Sequence, residues 1–396
     1  MNILFIGYWG ANEGLSQATI NPHLEILLDF KEVEKVIYVS LERNKSNSFN
    51  VPSSIKLDHI PLKSDNYRIR LFNKIFEQIQ HSRQLRDIVK LYDVDLVIAR
   101  SSLAGNFASY IHKKSGIPFV VESFEPHADY MLELGIWKRW GLSYLYQKRM
   151  ERIQKKNALH IYPVSNNYKM KLIEEGVKPS KITTLPCAVD LNKFCFDKNA
   201  RSELRDRLYI PSNAITGIYV GKFGGIYFSL QRAFKLFREF YKNIDQFYLI
   251  LLTPEDSTPI LDEARRVGIP TDKIKIDCVQ HDQVSSYLSA SDFAFSLHFP
   301  SDSMKFVSPI KNGEYWACGL PSVISEGIGD DSEIIKNSGC GIVLRNGEVP
   351  KNGYKELMKL IASSDKDQVV ELARNFRSFS NSQVAYRQLI DIYTLK

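Results

Sequence analysis

The sequence has few of the features that mark disulfide-rich, metal-binding or membrane-spanning proteins. Its five cysteines include no Cys-x-x-Cys pair and its eight histidines form no cluster with metal-ligand spacing, so neither a disulfide framework nor a structural zinc site is expected. No run approaches roughly 18 uninterrupted apolar residues, and the first apolar run is too short, with no charge before it, for a signal peptide. We therefore expect a cytoplasmic chain with reduced thiols.

Length and composition describe an ordinary folded chain with one unusual concentration of charge. The 396 residues are 44% hydrophobic and 24% charged, and at roughly 100 to 200 residues per domain they predict two domains and permit three. The formal net charge is +7, and residues 138–156 hold seven basic side chains against one acid, Glu151. This short segment carries nearly all of the excess positive charge, which favours a polyanionic partner.

Two series of short β-branched runs, separated by helix-length spacers, predict the fold. Fully apolar runs of this kind suit parallel strands whose sheet is covered on both faces. The first series lies at residues 2–7, 35–40, 95–99, 118–122, 159–165 and 182–186. The second series lies at residues 216–221, 247–252, 274–278, 292–297, 321–325 and 341–344. We predict an α/β protein with two doubly wound, Rossmann-like parallel-sheet domains.

The domain boundaries follow from where the pattern restarts. A polar stretch at residues 193–213 is interpreted as a linker, so the first domain is predicted over residues 1–200 and the second over residues 201–377. Apolar residues at helical spacing predict a closing helix over residues 378–396 that packs back on the first domain. Ligands of such sheets bind at the carboxyl ends of the strands, so the site is expected in a central cleft that the two domains face.

The segment that begins at Ser308 is the most informative candidate site. Ser308 is placed to cap a helix whose first residue is Pro309, which leaves the amides of Ile310 and Lys311 for an anion. Glu314 follows three residues after Lys311, on the same helix face. A nucleoside diphosphate fits this pattern, with phosphate on the amides and Lys311 and ribose hydroxyls on Glu314. A surface ion pair on an ordinary capped helix explains the spacing equally well.

Three blocks of the sequence resemble retaining glycosyltransferases of family four. Ser-Pro-x-Lys followed by Glu-Tyr-x-Ala-Cys-Gly-x-Pro-x-Val is similar to the nucleotide-binding helix of that family, and GIYVGKFG at residues 217–224 is similar to the first strand of its donor domain. Residues 162–194 resemble the end of its acceptor domain, with matches at Ser165, Val189, Asp190 and Phe194. The blocks cover most of the chain in the family's order, so the resemblance implies the GT-B fold.

The resemblance also implies an activity and its residues. A hexosyltransferase of this family moves a sugar from a nucleotide donor, here UDP- or GDP-linked, to a glycan or lipid-linked saccharide acceptor with retention of anomeric configuration. No cofactor or metal is expected, because cationic side chains neutralise the leaving diphosphate. Lys222 matches the basic residue after the first donor-domain strand, and Lys311 is the second catalytic cation. The implied role is assembly of bacterial surface polysaccharide.

Two positions depart from the family pattern. A second lysine of the family falls on Gly225, and the first of its paired glutamates falls on Phe306. Lys311 is the expected substitute for the missing lysine, but no carboxylate replaces the missing glutamate on the sugar side. These departures keep open an inactive nucleotide-binding subunit of a glycosyltransferase complex, and a GT-B-fold sugar-nucleotide epimerase, which binds a similar donor, is a second alternative.

The first domain contributes three further candidates. Gly10 and Gly14 follow the first strand, as the flexible glycine loop of the family does, where glycines let amides approach a phosphate or acceptor. His127 matches a family histidine that faces the donor sugar, with Glu122 and Glu125 near enough in sequence to orient it. By spacing alone, a plain strand-to-helix turn and a structural histidine are the simpler interpretations.

The basic segment 138–156 also contains aromatic residues, and two interpretations remain open. Aromatics interleaved with cations suit an anionic membrane surface, which would make the protein peripheral on the inner face of the plasma membrane. Alternatively, the segment is a solvated basic helix whose aromatics pack into the domain core. Nucleic acid is not expected, since no nucleic-acid-binding motif accompanies the patch.

Overall fold

The computed structural model describes residues 1–64, 71–363 and 366–394, with side chains from residue 80 onward in the helix that follows the first gap. The chain forms two compact units. The first contains Met1–Pro186 and the C-terminal helix, and the second is Cys187–Ser378. Residues 395 and 396 of the predicted closing helix lie outside the described residues.

The two units share one plan of strands alternating with helices. The strands are β1 (Asn2–Gly7), β2 (Lys35–Glu42), β3 (Leu57–Lys63), β4 (Leu96–Arg100), β5 (Phe119–Ser123), β6 (His160–Pro163), β7 (Ile215–Val220), β8 (Phe247–Leu252), β9 (Ile274–Asp277), β10 (Phe293–Ser296), β11 (Ser322–Ser325) and β12 (Gly341–Leu344). The helices are α1 (Gly14–Thr19), α2 (Asn21–Leu28), α3 (Leu71–Leu91), α4 (Ser102–Ser115), α5 (His127–Glu133), α6 (Leu142–Asn157), α7 (Asn166–Glu174), α8 (Lys198–Arg207), α9 (Leu230–Asn243), α10 (Ser257–Val267), α11 (Val284–Ala290), α12 (Ile310–Ala317), α13 (Asp331–Ser338), α14 (Gly353–Ala362), α15 (Asp367–Arg377) and α16 (Phe379–Thr394).

The first unit is built on a six-stranded sheet in the order β3-β2-β1-β4-β5-β6, with every pair of neighbours parallel. Chain order reverses between β1 and β4, where Ile3 pairs with Val36 on one side and with Leu96 on the other. Strands β1 and β4 are almost wholly buried, as a sheet covered on both faces requires. A reversal of this kind opens a crevice for ligands at the carboxyl ends of the strands.

The second unit repeats this arrangement in the order β12-β11-β10-β7-β8-β9, again all parallel, with the reversal between β7 and β10. Its core is rich in phenylalanine, and Phe237 and Phe240 of α9 pack edge-on against Phe295 of β10. The predicted α/β class with two doubly wound parallel sheets is confirmed.

The C-terminal helix α16 packs within the first unit. Tyr386, Leu389 and Ile390 lie in the same apolar cluster as residues of β1 and β2. Beside this cluster the Tyr386 hydroxyl donates to the Glu122 carboxylate of β5, and its oxygen lies 2.7 Å from His23 Nδ1. The chain therefore ends in the unit in which it began.

Three segments differ from the prediction. Residues 182–186 form no strand: amides of this segment donate to β6, but Pro163 and Pro186 have no N–H with which to continue a ladder. Strand β3 at the sheet edge was not predicted, because it contains Pro61 and is only half-buried. The stretch predicted as a linker contains α8, a helix of the second unit, capped by Asp197 and buried at Leu204.

Candidate functional site

Helix α12 begins one residue later than predicted. Ile310 is its first residue, Pro309 is the N-cap, and no side chain caps the helix. The Ser308 hydroxyl instead accepts hydrogen bonds from the Cys187 amide, at 3.1 Å, and from Arg377. The prediction that Ser308 caps the helix is therefore wrong, because the buried Arg377 guanidinium takes this hydroxyl as an acceptor. The amides of Ile310 and Lys311 still lie in the first turn, which leaves them without intrahelical partners.

Glu314 is the buried centre of this region. Its side chain is 1% exposed, Oε2 accepts from Lys311 Nζ at 3.0 Å, and Oε1 lies 2.7 Å from His281 Nε2. Burial alone would raise the pKa of Glu314, but the charge of Lys311 and the hydrogen bond from His281 outweigh it and lower that pKa. Glu314 is therefore a buried, ionised carboxylate, and the alternative interpretation of Lys311 and Glu314 as a surface ion pair does not describe it.

His281 is a residue of this region that the sequence analysis missed. It opens a one-turn 3-10 helix, His281–Gln283, a few residues after β9 ends. Its ring packs against Phe194, with centroids 5.3 Å apart. The sequence could have indicated His281 by its position after the carboxyl end of a predicted strand, because ligands of such sheets bind at that edge.

Lys222 lies in the loop that follows β7, and three hydrogen bonds fix this loop. The Tyr219 hydroxyl donates to the Lys222 carbonyl, and the Phe223 amide donates to Glu255 Oε1 at 2.7 Å. The Val220 amide donates to the Tyr315 hydroxyl of α12 at 3.3 Å, which ties the end of β7 to the helix of Lys311 and Glu314. Lys222 itself is exposed, and within the described part of the chain its ammonium makes no ion pair.

The structure gives a physical reason for one departure from the family pattern. Gly224 and Gly225 both have positive φ, +80° and +61°, in the turn after Lys222. A lysine at residue 225 would be strained in this left-handed region, so the turn itself disfavours the missing cation. Phe306, at the position of the missing glutamate, ends a 3-10 helix and is buried.

In the first unit, His127 is the first residue of α5 and is oriented by Glu125. Its Nδ1 lies 2.7 Å from Glu125 Oε1, and its ring packs edge-on against Trp137 at 5.5 Å. Glu122, the second carboxylate considered for this role, belongs instead to the buried cluster of Arg100, His23 and Tyr386. The partner that the sequence left undecided is Glu125.

The glycine loop after β1 is closed by carboxylates of its own unit. The Gly10 amide donates to Glu13 Oε1 at 3.2 Å, and the Ala11 amide donates to Glu42 Oε1 at 2.8 Å. A Cβ at residue 10 would lie 2.7 Å from Glu42 Oε2, whereas a Cβ at residue 14 meets nothing within 4 Å. Close packing therefore favours glycine at Gly10 and not at Gly14, and a role of either in ligand binding stays a prediction.

Helix α6 has an unusual distribution of polar and apolar side chains. Gln147, Glu151 and Gln154 are buried, and two of them bond to Asn106 of α4. The outward-facing apolar side chains of α6 are Leu142 (65% exposed), Leu145 (44%) and Tyr146 (40%), and Trp140 (82%) is exposed in the turn before the helix. The interpretation in which the aromatics pack into the core is therefore wrong for the most exposed of them, although Trp137 and Tyr144 are half-buried.

The cations of the same segment fall into two groups. Lys148 pairs with Asp129 at 2.7 Å, and Lys155 pairs with Glu175. Arg149, Arg152 and Lys156 are exposed and make no ion pair with any described residue. Among the residues that the structure describes, no helix has the length and apolar character needed to cross a bilayer.

Comparison with known proteins finds one family model and several solved structures to which the chain is similar. Residues 35–193 match the model described as Glycosyltransferase Family 4, while a search of curated proteins finds no match. Sucrose-phosphate synthase from Thermosynechococcus elongatus has a TM-score of 0.72 at 14% identity, over 100% of both chains. Anabaena HepE in complex with UDP has a TM-score of 0.68 at 13% identity, over 98% of this chain and 99% of its own.

A third similar structure is the lipopolysaccharide outer core galactosyltransferase WaaB in its apo form, with a TM-score of 0.67 at 16% identity, over 98% of this chain and 99% of its own. At these identities the likeness establishes the fold, and the resemblance to family four found in the sequence is confirmed by the family match. Residues 35–193 thus match the Glycosyltransferase Family 4 model, and the two doubly wound units have the fold of the GT-B structures to which the chain is similar.

Proposed function

We propose that this protein transfers a hexose from a nucleotide-diphosphate donor, UDP-linked by preference, to a glycan or lipid-linked saccharide acceptor with retention of anomeric configuration. The observation that carries the proposal is the ionised, buried Glu314 carboxylate beside Lys311 in α12. Further support comes from the printed descriptions of two similar structures: HepE is solved with UDP-glucose, and WaaB is a lipopolysaccharide galactosyltransferase. The proposed role is assembly of surface polysaccharide.

The donor nucleotide binds at the beginning of α12. The amides of Ile310 and Lys311 point out of the first helical turn and donate to phosphate oxygens, where the helix dipole also favours negative charge. The Lys311 ammonium joins the diphosphate, and Glu314 accepts hydrogen bonds from the two ribose hydroxyls. Ser308, held by Arg377, fixes the chain immediately before this turn.

The chemical step breaks the bond between the anomeric carbon and the diphosphate oxygen. The acceptor hydroxyl forms the new glycosidic bond on the same face, and its proton passes to the departing phosphate oxygen, so the protein supplies no base. Lys222 and Lys311 stabilise the charge that develops on the diphosphate, without a bound metal. Lys222 suits this role because it is exposed beside a loop that three hydrogen bonds hold in place.

His127 orients the transferred sugar. A neutral imidazole whose Nδ1–H donates to Glu125 leaves Nε2 as an acceptor for a sugar hydroxyl. Gly10 and Gly14, in and just after the loop that follows β1, complete the proposed set. These residues position groups and do not take part in bond making.

The exposed face of α6 binds an anionic membrane surface, which holds the enzyme at the inner face of the plasma membrane, near lipid-linked acceptors. Two features support this part of the proposal: the outward-facing Trp140, Leu142 and Leu145, and the exposed cations Arg149 and Arg152. The buried polar residues of α6 support it as well, because this helix turns Gln147, Glu151 and Gln154 inward and Leu142 and Leu145 outward.

The direct test is a turnover assay with UDP- and GDP-sugars, in which release of nucleoside diphosphate is followed with and without lipid-linked saccharides extracted from bacterial membranes. Acceptor-dependent release, with a product that NMR shows to keep the donor's anomeric configuration, is the expected result. Conversion of the donor sugar without acceptor would identify an epimerase. Nucleotide binding with no donor consumption in either condition would identify an inactive subunit, the alternative that Phe306 and Gly225 favour.

A further inference from the structure

His281 contacts the proposed ribose-binding carboxylate from an element other than α12. It lies 2.7 Å from Glu314 Oε1, and its side chain is 40% exposed whereas that of Glu314 is 1% exposed. Phe194 packs against the imidazole from within the same unit and is itself buried. The buried carboxylate is thus held from two elements, by Lys311 of its own helix and by His281.

The hydrogen-bond capacity of the carboxylate shows what these two partners leave available. An ionised carboxylate only accepts, with about two acceptor positions on each oxygen, so the Nε2 of His281 is the donor. Lys311 occupies one position on Oε2 and His281 one position on Oε1. One acceptor position on each carboxylate oxygen remains, so the two oxygens can accept one hydrogen bond from each of two neighbouring ribose hydroxyls.

The Lys311 ammonium cannot bind the diphosphate and keep its hydrogen bond to Glu314 to the same extent. Its side chain is 36% exposed and, at the first turn of α12, lies next to the amides that bind phosphate. When its ammonium turns to the diphosphate, it uncovers Oε2 and leaves the buried carboxylate with one partner. A buried carboxylate without a hydrogen-bond partner costs free energy and loses its orientation.

We propose that His281 is a positioning residue of the nucleotide site: its Nε2–H holds Glu314 in place while Lys311 binds the diphosphate, so that Glu314 accepts from the ribose hydroxyls. The inference rests on the proposed function. His281 acts through Glu314 and contacts no reacting atom. Its contribution therefore falls on recognition of the ribose, not on the chemical step.

The test compares the affinities of UDP and 2′-deoxy-UDP, measured by calorimetry, for wild type, His281→Ala and His281→Gln. We expect His281→Ala to weaken UDP binding by about tenfold, as for a hydrogen bond to a charged group, and to bind the two nucleotides nearly equally. Because a glutamine amide can replace the Nε2 donor, His281→Gln should restore both affinity and discrimination. Asp282→Ala, in the same exposed turn, is the matched control and should behave as wild type.

The outcomes separate this inference from the proposal on which it rests. If His281→Ala keeps the wild-type preference for UDP over 2′-deoxy-UDP, or binds UDP more tightly, the positioning role is wrong even where Glu314→Ala abolishes that preference. If Glu314→Ala also leaves the preference unchanged, the nucleotide site itself is wrong. An unfolding temperature of His281→Ala equal to that of wild type without nucleotide excludes a general loss of structure as the cause.

Discussion

Two buried carboxylates, Glu314 and Glu122, differ in whether their partners are exposed, and this separates a ligand-binding carboxylate from a structural one. Glu122 and Glu314 are both almost fully buried and ionised beside basic residues. The partners of the Glu122 carboxylate, Arg100 and His23, are themselves buried, whereas those of Glu314 are more than one-third exposed. An exposed partner such as Lys311 can exchange Glu314 for a ligand, and buried partners cannot. This contrast is the residue-level basis for placing the nucleotide on α12.

Replacing Lys222 by alanine should lower turnover more than ground-state donor binding. An exposed ammonium that acts on charge developing at the leaving diphosphate contributes mainly in the transition state. Steady-state kinetics should show kcat reduced by about a hundredfold or more with donor affinity changed by less than about threefold. Lys235→Ala, an exposed lysine of α9, is the control and should leave both unchanged. Equal losses in kcat and affinity would mean that Lys222 only anchors the nucleotide.

Glu125→Gln tests the role of His127. Loss of the carboxylate removes the charged partner of Nδ1 and with it the preferred tautomer, so Nε2 no longer reliably accepts from the sugar. A hydrogen bond of this kind is worth about 1.5 to 3 kcal/mol, which corresponds to a decrease in kcat of roughly ten- to a hundredfold. UDP affinity, measured separately, should stay as in wild type, and Glu174→Gln of α7 is the exposed control. Wild-type kcat in Glu125→Gln would remove His127 from the site.

Helix α6 departs from ordinary amphipathic design. A helix on the surface of a soluble protein normally buries its apolar face, but α6 packs on α4 through Gln147, Gln154 and Asn106. This buried polar network is well paired, with distances of 2.8 Å and 2.7 Å to Asn106. The inward face of α6 is thus satisfied by hydrogen bonds, and its exposed apolar face is available to contact the apolar part of a membrane.

Exchanging Arg149, Arg152 and Lys156 together for serine should weaken binding to vesicles that contain phosphatidylserine. At about 1 kcal/mol per cation the loss is roughly a hundredfold at low salt, and it should shrink as salt is added. The triple exchange of Lys90, Lys113 and Lys114 removes the same charge elsewhere on the first unit and is the control.

The apolar part of the same surface is tested by Trp140→Ala. Because an inserted indole contributes through burial of apolar surface, its loss should weaken vesicle binding by a factor that salt does not change. Co-sedimentation with vesicles at two salt concentrations measures both effects. Wild-type vesicle binding by the triple variant and by Trp140→Ala would show that α6 does not bind membranes.

Considered as a whole, the molecule consists of two units built on the same plan, and the chain returns to the first unit for its last helix. The buried cluster around Glu122 links the last helix to the first sheet, because the Tyr386 hydroxyl of α16 donates to the Glu122 carboxylate of β5. Burial alone would raise the pKa of Glu122, but the charge of Arg100 and the hydrogen bonds from His23 and Tyr386 lower it to about 2, from an ordinary value of 4.5.

The stability of the first unit should therefore depend on the ionisation of Glu122. A lowered folded-state pKa stabilises the fold fully above the unfolded value, and this stabilisation disappears as the pH falls from about 4.5 to about 2. Glu122→Gln should lack this pH-dependent component and should be destabilised by about 3 to 5 kcal/mol at neutral pH, because Arg100 stays buried without its charge partner. Urea unfolding across the pH range measures both effects, with the exposed Glu25→Gln as control. An unchanged pH profile in Glu122→Gln would remove Glu122 from this role.

The sequence predicted the strands that are apolar, since β1, β8 and β12 have the predicted bounds. It failed at two segments: the edge strand β3, which is only half-buried and contains Pro61, and residues 182–186, where prolines interrupt the ladder. In the candidate site it predicted Lys311 and Glu314 from their spacing within one helix. It missed His281, because the contact joins residues 33 positions apart and only folding brings them together.

The most direct test of the nucleotide site on α12 is a thermal-shift measurement with UDP, GDP and ADP on wild type, Glu314→Ala and Glu333→Ala. Glu333 forms an exposed ion pair with Lys336 on the neighbouring helix α13 and so matches the Lys311–Glu314 spacing without the burial. A ligand that binds only the folded protein raises its unfolding temperature, so UDP should stabilise wild type and Glu333→Ala and should have little effect on Glu314→Ala. Equal stabilisation of all three proteins, or of none, would contradict a nucleotide site at Glu314.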